Sequence, residues 1–230
     1  METAVLFLVF NRPETTRRVF EAIRTAAPAR LYVAADGPRP NRLDEAARCE
    51  EVRRIATAVD WPCTVSTLFR SENLGCRVAV STAIDWFFEQ EPLGIILEDD
   101  CLPCHAWFRF AEEMLSRYSD EERIMNISAN HFHGDAHQPT ASYFFSRYFH
   151  STGWASWRRA WRHYDRDMAA WPRLRNTDWL QSIGVGNRLF LLYWSDIFDM
   201  AYSGRRVDSW AYRWTFSCWA RNGLTILPAR

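Results

Sequence analysis

The chain has 230 residues, enough for one domain with a substantial core. Hydrophobic residues make up 48% of it, and 28 basic side chains, all arginine, balance 28 acidic ones. The zero net charge argues against a general nucleic-acid binder, and no apolar run is long enough to span a membrane. The apolar start lacks a basic leader and a cleavage site, and the six cysteines are scattered. We therefore expect reduced thiols and a cytoplasmic protein, at most peripheral to the inner face of the membrane.

Strand-like and helix-like stretches alternate over the first hundred residues. Apolar runs closed by turn signals predict strands at 4–10, 31–35, 63–69 and 93–97. Helical spacing predicts helices at 14–24, 42–58 and 78–88 between them. Short connections between such units predict an α/β fold with a mostly parallel sheet flanked by helices.

Polar residues follow each of these four strands. Ligands of open parallel sheets bind outside the carboxyl ends of the strands, so these residues are expected to surround one site. In chain order they are Asn11 and Arg12, Asp36, Arg70 and Asn73, and Glu98, Asp99 and Asp100. They suit a base, a ribose, a diphosphate and a metal. Turn chemistry is the alternative explanation for Asp36 and Asn73, because Asp and Asn side chains often bond to nearby backbone.

The triplet Glu98-Asp99-Asp100 concentrates negative charge at the end of a buried strand. Two unit charges about 4 Å apart repel by roughly 4 kcal/mol at an effective dielectric near 20, so a cation is needed there. Oxygen-only ligands suit Mg²⁺ or Mn²⁺, which bind through one or two carboxylates and substrate phosphates. There is no G-x-G-x-x-G after the first strand and no G-K-[ST], which argues against dinucleotide dehydrogenases and P-loop enzymes. The sequence thus predicts a diphosphate neutralised by metal and arginine.

Four stretches carry a resemblance to a known family: Val-Phe-Asn-Arg-Pro at 9–13, Ala-Asp-Gly at 35–37, Asn-Leu-Gly at 73–75 and Ile-Leu-Glu-Asp-Asp at 96–100. Together they resemble the nucleotide-sugar half of a GT-A glycosyltransferase. The nearest likenesses are family-2-type bacterial transferases and the N-acetylglucosaminyltransferase I group, which has the same Glu-Asp-Asp form of the D-x-D motif. The resemblance implies one domain over 1–230, with a nucleotide-sugar half at 1–104 and an acceptor half at 105–230.

The same resemblance implies roles for individual residues. Asn11 and Arg12 would lie near the nucleotide, and Asp36 would accept a hydrogen bond from the base. Arg70 would border the nucleotide pocket. Asp99 would lie near ribose or sugar hydroxyls, while Asp100, with Glu98, would hold the metal.

The middle of the chain contains two stretches whose residue types suggest a haem or a metal site. Cys-Leu-Pro-Cys-His at 101–105 matches a haem-attachment pattern, but helical spacing over 105–118 favours an ordinary helix start. A strand is predicted at 124–128, followed by a polar loop that includes His131 and His133. Either histidine is a weaker candidate for the metal, and 134–140 is expected to be a flexible tip.

Aromatic residues crowd the second half of the chain. In the stretch 153–162, Trp157 and Trp161 are expected to be core residues on one helix face, and Trp154 to be a platform for the acceptor. Helices are predicted at 188–202 and through 214–219, and a last strand at 224–227.

Inverting sugar transfer needs a carboxylate to take the proton of the acceptor hydroxyl. Six aspartates of the second half are candidates. Asp208 is preferred because it resembles the Trp-Asp-x-Trp stretch of the transferases; an N-cap is its structural alternative, and Asp196 is the next choice.

The sequence therefore predicts a metal-dependent, inverting glycosyltransferase that uses a UDP-type sugar donor. The acceptor is expected to be a hydroxyl of a glycan, a lipid-linked glycan or another molecule, in polysaccharide biosynthesis as the resemblance suggests. Two other classes stay open: a nucleotidyltransferase on a similar sheet, and a carbohydrate- or nucleotide-sugar-binding module without turnover.

Overall fold

A computed structural model describes residues 1–132, 140–204 and 208–229, which form an α/β fold around one eight-stranded sheet. The strands are β1 (Val5–Val9), β2 (Arg30–Ala35), β3 (Thr64–Phe69), β4 (Leu93–Glu98), β5 (Ile124–Ser128), β6 (Tyr143–Ser146), β7 (Trp154–Trp157) and β8 (Leu224–Pro228). The longer helices are α1 (Pro13–Ala26), α2 (Glu45–Ala56), α3 (Gly75–Gln90), α4 (His105–Arg117), α8 (Arg188–Ser203) and α9 (Trp210–Ala220). Three short ones are α5 (Arg158–Trp161), α6 (Trp171–Leu174) and α7 (Trp179–Ile183).

The sheet has the strand order β3-β2-β1-β4-β7-β5-β8-β6. Strands β1 to β4 are mutually parallel neighbours, β7 is antiparallel to both β4 and β5, and β6 is antiparallel to β8. Since β7 is antiparallel to both β4 and β5, strand β5 runs in the same direction as β4. Strand β8 is parallel to β5, so both run in the same direction as β1 to β4. The predicted mostly parallel sheet is confirmed, and the carboxyl ends of β1 to β4 share one edge.

Helices cover both faces of the sheet, so strand β1 is buried along its whole length. On one face, side chains of α1, α2 and α4 such as Ile23, Val52 and Trp107 pack on the sheet. On the other face, α3 and the aromatic helices of the second half pack on it, with Phe87, Phe198 and Trp214 in the core. This two-sided burial explains why the strands read as continuous apolar runs.

Most predicted elements are confirmed, and their ends differ by only a few residues. The helix at His105 confirms that the Cys-Leu-Pro-Cys-His stretch leads into an ordinary helix start. Strand β6 was not predicted, because its four residues lie between two loops and only Phe144 and Phe145 are strongly apolar. No helix among the described residues is long and apolar enough to cross a membrane. The prediction for His133 and most of 134–140 falls outside the described residues.

The expectation that Trp154 is an acceptor platform is wrong. Residues 154–157 form β7 between β4 and β5, and only the four residues after it are helical. Trp154 is fully buried and stacks on Trp210 with ring centroids 5.4 Å apart. Trp157 and Trp161 are core residues as predicted, although Trp157 belongs to the strand. The helical spacing was misleading because a strand and a one-turn helix follow each other without a break.

Candidate active site

A cavity of about 370 Å³ lies at the shared carboxyl edge of β1 to β4. Its wall is apolar where α3 packs on the sheet, through residues such as Leu68, Val80 and Ala83. Its rim carries polar groups from the loops after β1, β2 and β3, from the end of β4 and the residue after it, from the start of α3 and from the segment before α9. These are Arg12, Asp36, Arg39, Arg70, Asn73, Cys76, Glu98, Asp99 and Asp208. We call this cavity the strand-end cavity.

Arg12 joins the two acidic residues that follow β4. Its Nη1 atom lies 3.0 Å from Oδ1 of Asp99 and 2.5 Å from Oδ2 of Asp100. Asp99 is buried and also accepts a hydrogen bond from the backbone N–H of Phe10, whereas Asp100 is exposed and lies outside the cavity lining. Burial raises the pKa of Asp99, and the guanidinium of Arg12 opposes this shift. A single positively charged group thus already lies between the two carboxylates.

Asp36 ties the end of β2 to the start of α3. Its carboxylate accepts hydrogen bonds from the backbone N–H groups of Gly37, Leu74 and Gly75, and from the side chain of Asn73. Only the contact with Gly37 is the local turn chemistry that was the alternative for Asp36; the contacts of Asn73, Leu74 and Gly75 join two loops that are far apart in the chain. Asp36 lines the cavity, but most of its hydrogen-bonding capacity serves this loop network.

Asn11 lies outside the cavity lining and supports a buried carboxylate. Its Nδ2 donates to Oε1 of Glu45 at 2.7 Å, and Glu45 is also paired with Arg39. This pairing with Arg39 lowers the pKa of Glu45 to about 2, so the fully buried side chain stays charged. Asn11 therefore acts through Glu45 to hold Arg39, and Arg39 reaches the cavity rim. Sequence reasoning missed Arg39, because it lies in a Pro-rich turn without a recognisable motif.

Arg70 is a cation of the cavity that makes no ion pair within the described residues. Its Nη2 donates to the hydroxyl of Thr82 at 2.6 Å, and the backbone carbonyl of Arg70 accepts from Arg53. Arg70 directly follows β3 and lines the strand-end cavity.

Glu98 lies in the same cavity, with no hydrogen-bond donor on its carboxylate among the described residues. Burial, helped by the charges of Asp100 and Asp99, raises its pKa to about 7. Arg12 Nη1 contacts Asp99 and Asp100 but not Glu98. Glu98 is therefore a carboxyl group in a cleft that Arg12 does not contact, a setting typical of functional carboxyl groups.

Asp208 faces the strand-end cavity from the segment before α9. Its Oδ1 lies 3.3 Å from Nε of Arg77 on α3, and its side chain is 56% exposed. The N-cap of α9 is Ser209, so the N-cap alternative for Asp208 is wrong. Asp196 is an exposed residue of α8 and does not line the cavity, and Asp199 pairs with Arg175. Asp208 is the one predicted base that the fold brings to the strand ends.

The position of Arg12 Nη1 shows where a divalent cation would fit. This atom lies within contact distance of one oxygen of Asp99 and one of Asp100, an arrangement that suits a cation. No group of three His, Cys, Asp or Glu residues able to hold a metal exists in the described part of the chain. The residues therefore fit an open site: Asp100, as predicted, and Asp99, in place of the predicted Glu98, would supply two ligands, and phosphate and water oxygens the rest.

Comparison of the chain with models of known protein families gives no match, and no curated protein is significantly similar to it.

Proposed function

We propose that this protein is a glycosyltransferase of the GT-A type that transfers a sugar from a nucleoside diphosphate donor, with uridine as the base, to a hydroxyl acceptor. One observation carries the proposal. A cavity at four consecutive parallel strand ends combines a two-carboxylate point suited to a cation, an arginine that has no acidic partner among the described residues, and an accessible aspartate. Its volume of about 370 Å³ lies within the ordinary range of small-molecule sites.

The donor is proposed to lie along the strand ends. The apolar wall suits the flat base, while Arg39 and Arg70 supply positive charge beside the ribose and phosphates. A bound Mn²⁺ or Mg²⁺ would stabilise the negative charge that develops on the departing diphosphate. Arg12 would then leave Asp99 and Asp100 and pair with a phosphate, so that the net charge of the site changes little.

Asp208 is proposed to accept the proton of the acceptor hydroxyl. As that oxygen forms its bond to the anomeric carbon, the bond from this carbon to the diphosphate oxygen breaks, and the nucleoside diphosphate leaves. Arg77 contacts the carboxylate from one side, and the rest of the half-exposed side chain is open to an acceptor hydroxyl.

Binding is tested by isothermal titration of UDP, GDP, CDP and TDP with and without Mn²⁺. We expect one nucleotide to bind with Mn²⁺ present, and Asp100→Ala to weaken this binding at least tenfold. Asp44→Ala is the matched control, since Asp44 is an exposed aspartate that pairs with Arg48 away from the cavity. Unchanged affinity in Asp100→Ala would contradict the cation site.

The location of the ligand is tested by alkylation of cysteines. Cys76 and Cys104 are both exposed, and only Cys76 lines the strand-end cavity. Although the surface of Cys76 is open to solvent, the groups packed around its thiol and the nearby carboxylates raise its pKa to about 11, so the labelling belongs at mildly alkaline pH. The bound nucleotide should slow the labelling of Cys76 relative to the ligand-free protein and leave the rate at Cys104 unchanged; an unchanged rate at Cys76 would place the ligand elsewhere.

Turnover is tested by the slow hydrolysis of nucleotide sugars and by transfer to simple acceptors. Asp208→Asn should keep donor binding and lower transfer by a factor of about 100 to 10,000, the usual contribution of a general base. Asp196→Asn, on the exposed face of α8, should transfer normally. Nucleotide binding without any turnover would indicate a binding module, and full activity of Asp208→Asn would exclude it as the base.

A further inference from the structure

Asp36, the residue that the sequence assigns to the base of a nucleotide, is already occupied by protein groups. Its Oδ1 accepts hydrogen bonds from the N–H groups of Gly37 at 2.9 Å and Leu74 at 3.0 Å. Its Oδ2 accepts from the side chain of Asn73 at 2.9 Å and from the N–H of Gly75 at 3.1 Å. A carboxylate oxygen has about two lone-pair sites, so little capacity is left for a ligand. Recognition of a base would then fall to another residue of the strand-end cavity.

Arg39 is held at the rim of this cavity by the fully buried carboxylate of Glu45. Its Nε lies 3.0 Å from both Oε1 and Oε2 of Glu45, and its Nη2 also donates to Oε1. The backbone N–H of Arg39 donates to Oε2 at 2.7 Å, and the side chain of Asn11 donates to Oε1 at 2.7 Å. A bidentate contact fixes the plane of a guanidinium as well as its position. The orientation of Arg39 is therefore set before any ligand binds.

One edge of this fixed guanidinium remains available. The Nη1 atom of Arg39 has no hydrogen-bond partner within the described residues, and the side chain is 49% exposed. Its Cζ lies 5.6 Å from the centre of the Phe10 ring, which also lines the cavity. The backbone N–H of Phe10 donates to Oδ2 of Asp99 at 3.1 Å, so the Arg39 edge lies one residue away from the proposed cation point.

The two arginines of the rim differ in how their charge is balanced. Glu45 offsets the charge of Arg39, and this pairing keeps the pKa of Glu45 at about 2. Arg70 has no acidic partner among the described residues. An unbalanced charge attracts a phosphate more strongly than a balanced one does. Arg39 is therefore better suited to contact an uncharged group through its N–H donors.

We infer that Arg39 selects the base of the nucleotide by donating from Nη1 to a ring carbonyl, and that Glu45 and Asn11 are positioning residues for it. The inference rests on the proposed function and deepens it. A guanidinium has donors and no acceptor. Uracil and thymine present a carbonyl acceptor at ring position 4, where cytosine presents an amino donor that Arg39 cannot pair. The cavity should therefore reject cytidine nucleotides.

Calorimetry of UDP and of CDP, each with MnCl₂, tests the inference through the ratio of the two affinities. The wild type should bind UDP about tenfold or more tightly than CDP. Arg39→Met/Glu45→Gln should reduce this ratio to about threefold or less; replacing both residues avoids leaving a buried charge unpaired. Asn11→Ala should lower the ratio by a smaller factor, because it removes one of the bonds that orient Glu45.

Two control variants separate base selection from other effects. Arg70→Met should weaken UDP and CDP by the same factor, since Arg70 is proposed to contact the phosphates that both share. Arg30→Met/Glu91→Gln removes a second arginine paired with a buried glutamate, at 2.6 Å. Arg30 begins β2, at the opposite end of this strand from the cavity, so both affinities should be unchanged.

Circular dichroism first establishes that each variant is folded. A wild-type ratio near one, or an unchanged ratio in folded Arg39→Met/Glu45→Gln, would overturn the inference; if UDP still binds with Mn²⁺, the proposed function stands. A loss of the same size for UDP and CDP would also overturn it, because Arg39 would then be a general anchor of the nucleotide. If neither nucleotide binds to the wild type with Mn²⁺, the inference and the proposed function fail together.

Discussion

Arg12 lies at the position between Asp99 and Asp100 that a bound cation would need. The guanidinium is half exposed and Asp99 is almost fully buried, so the carboxylate is fixed while the arginine can move towards solvent. In the absence of ligand, this arginine offsets the repulsion between the neighbouring carboxylates that the sequence implies. It also makes a direct prediction, because the arginine and the proposed metal would compete for the same oxygens.

Arg12→Ala should strengthen the binding of Mn²⁺ alone and weaken the binding of the nucleotide with Mn²⁺ present. Removing a charged hydrogen-bonding competitor is worth roughly 1.5 to 3 kcal/mol, or about tenfold or more in affinity. Calorimetry with MnCl₂ measures the first effect directly. Arg17→Ala is the control, because Arg17 lies in the first turns of α1, just after Arg12, and pairs with Glu51 instead. A weaker Mn²⁺ affinity in Arg12→Ala would show that the arginine helps to build the cation site.

Asp36 illustrates what residue types alone leave undecided. An aspartate after a parallel strand can recognise a ligand or hold its own loop, and the same oxygens serve both purposes. Which applies depends on the distance between the loops after β2 and β3, since the backbone N–H groups of Leu74 and Gly75 reach Asp36 across 38 and 39 residues. Such a contact has no local signal in the sequence.

The start of α3 links the loop network to the proposed base. Gly75 has φ +77°, its N–H donates to Asp36, and a Cβ at this position would lie 2.7 Å from Oδ2 of Asp208. A glycine is required there for two reasons, the left-handed backbone and the approach of the carboxylate. This one position therefore couples the conformation of α3 to the position of Asp208.

Gly75→Ala should lower the free energy of unfolding by about 1 to 2 kcal/mol and reduce transfer about 10- to 100-fold. The first effect comes from the left-handed backbone and the second from displacement of Asp208. Gly186→Ala separates the two, because Gly186 has φ +75° and a Cβ there would contact nothing within 4 Å. Urea titration and a transfer assay measure both variants. Equal loss of activity in the two variants would mean that Asp208 does not need its present position.

The elements of the first half could be predicted because each strand is buried on both faces and each helix has turn signals at its ends. The second half was harder. A four-residue strand such as β7 has the same apolar content as a helix turn, and its identity depends on β4 and β5 lying on either side. The grouping of polar residues at the strand ends followed from the parallel topology alone. The partners of each polar residue did not, because they lie far apart in the chain.

At the scale of the whole molecule, the strand-end cavity has a cost in stability. Glu98 is held in the protein without a hydrogen-bond donor from the described residues, and burial raises its pKa to about 7. An unfolded chain releases this proton near its ordinary pKa of about 4.3. Between these two values the folded protein binds more protons than the unfolded one, so the contribution of Glu98 to folding stability decreases as the pH rises.

Glu98→Gln should therefore stabilise the protein at pH 8 and change it little at about pH 3, where Glu98 is almost fully protonated in both states of the wild type. The full shift corresponds to about 3.7 kcal/mol, and partial exposure of the side chain reduces this to about 1 to 3 kcal/mol. Urea unfolding at a series of pH values measures the difference. Glu89→Gln, at the exposed end of α3, should show no such pH dependence. If the difference in stability between Glu98→Gln and the wild type is the same at every pH, Glu98 ionises freely, and the cavity accommodates its charge without help from a ligand.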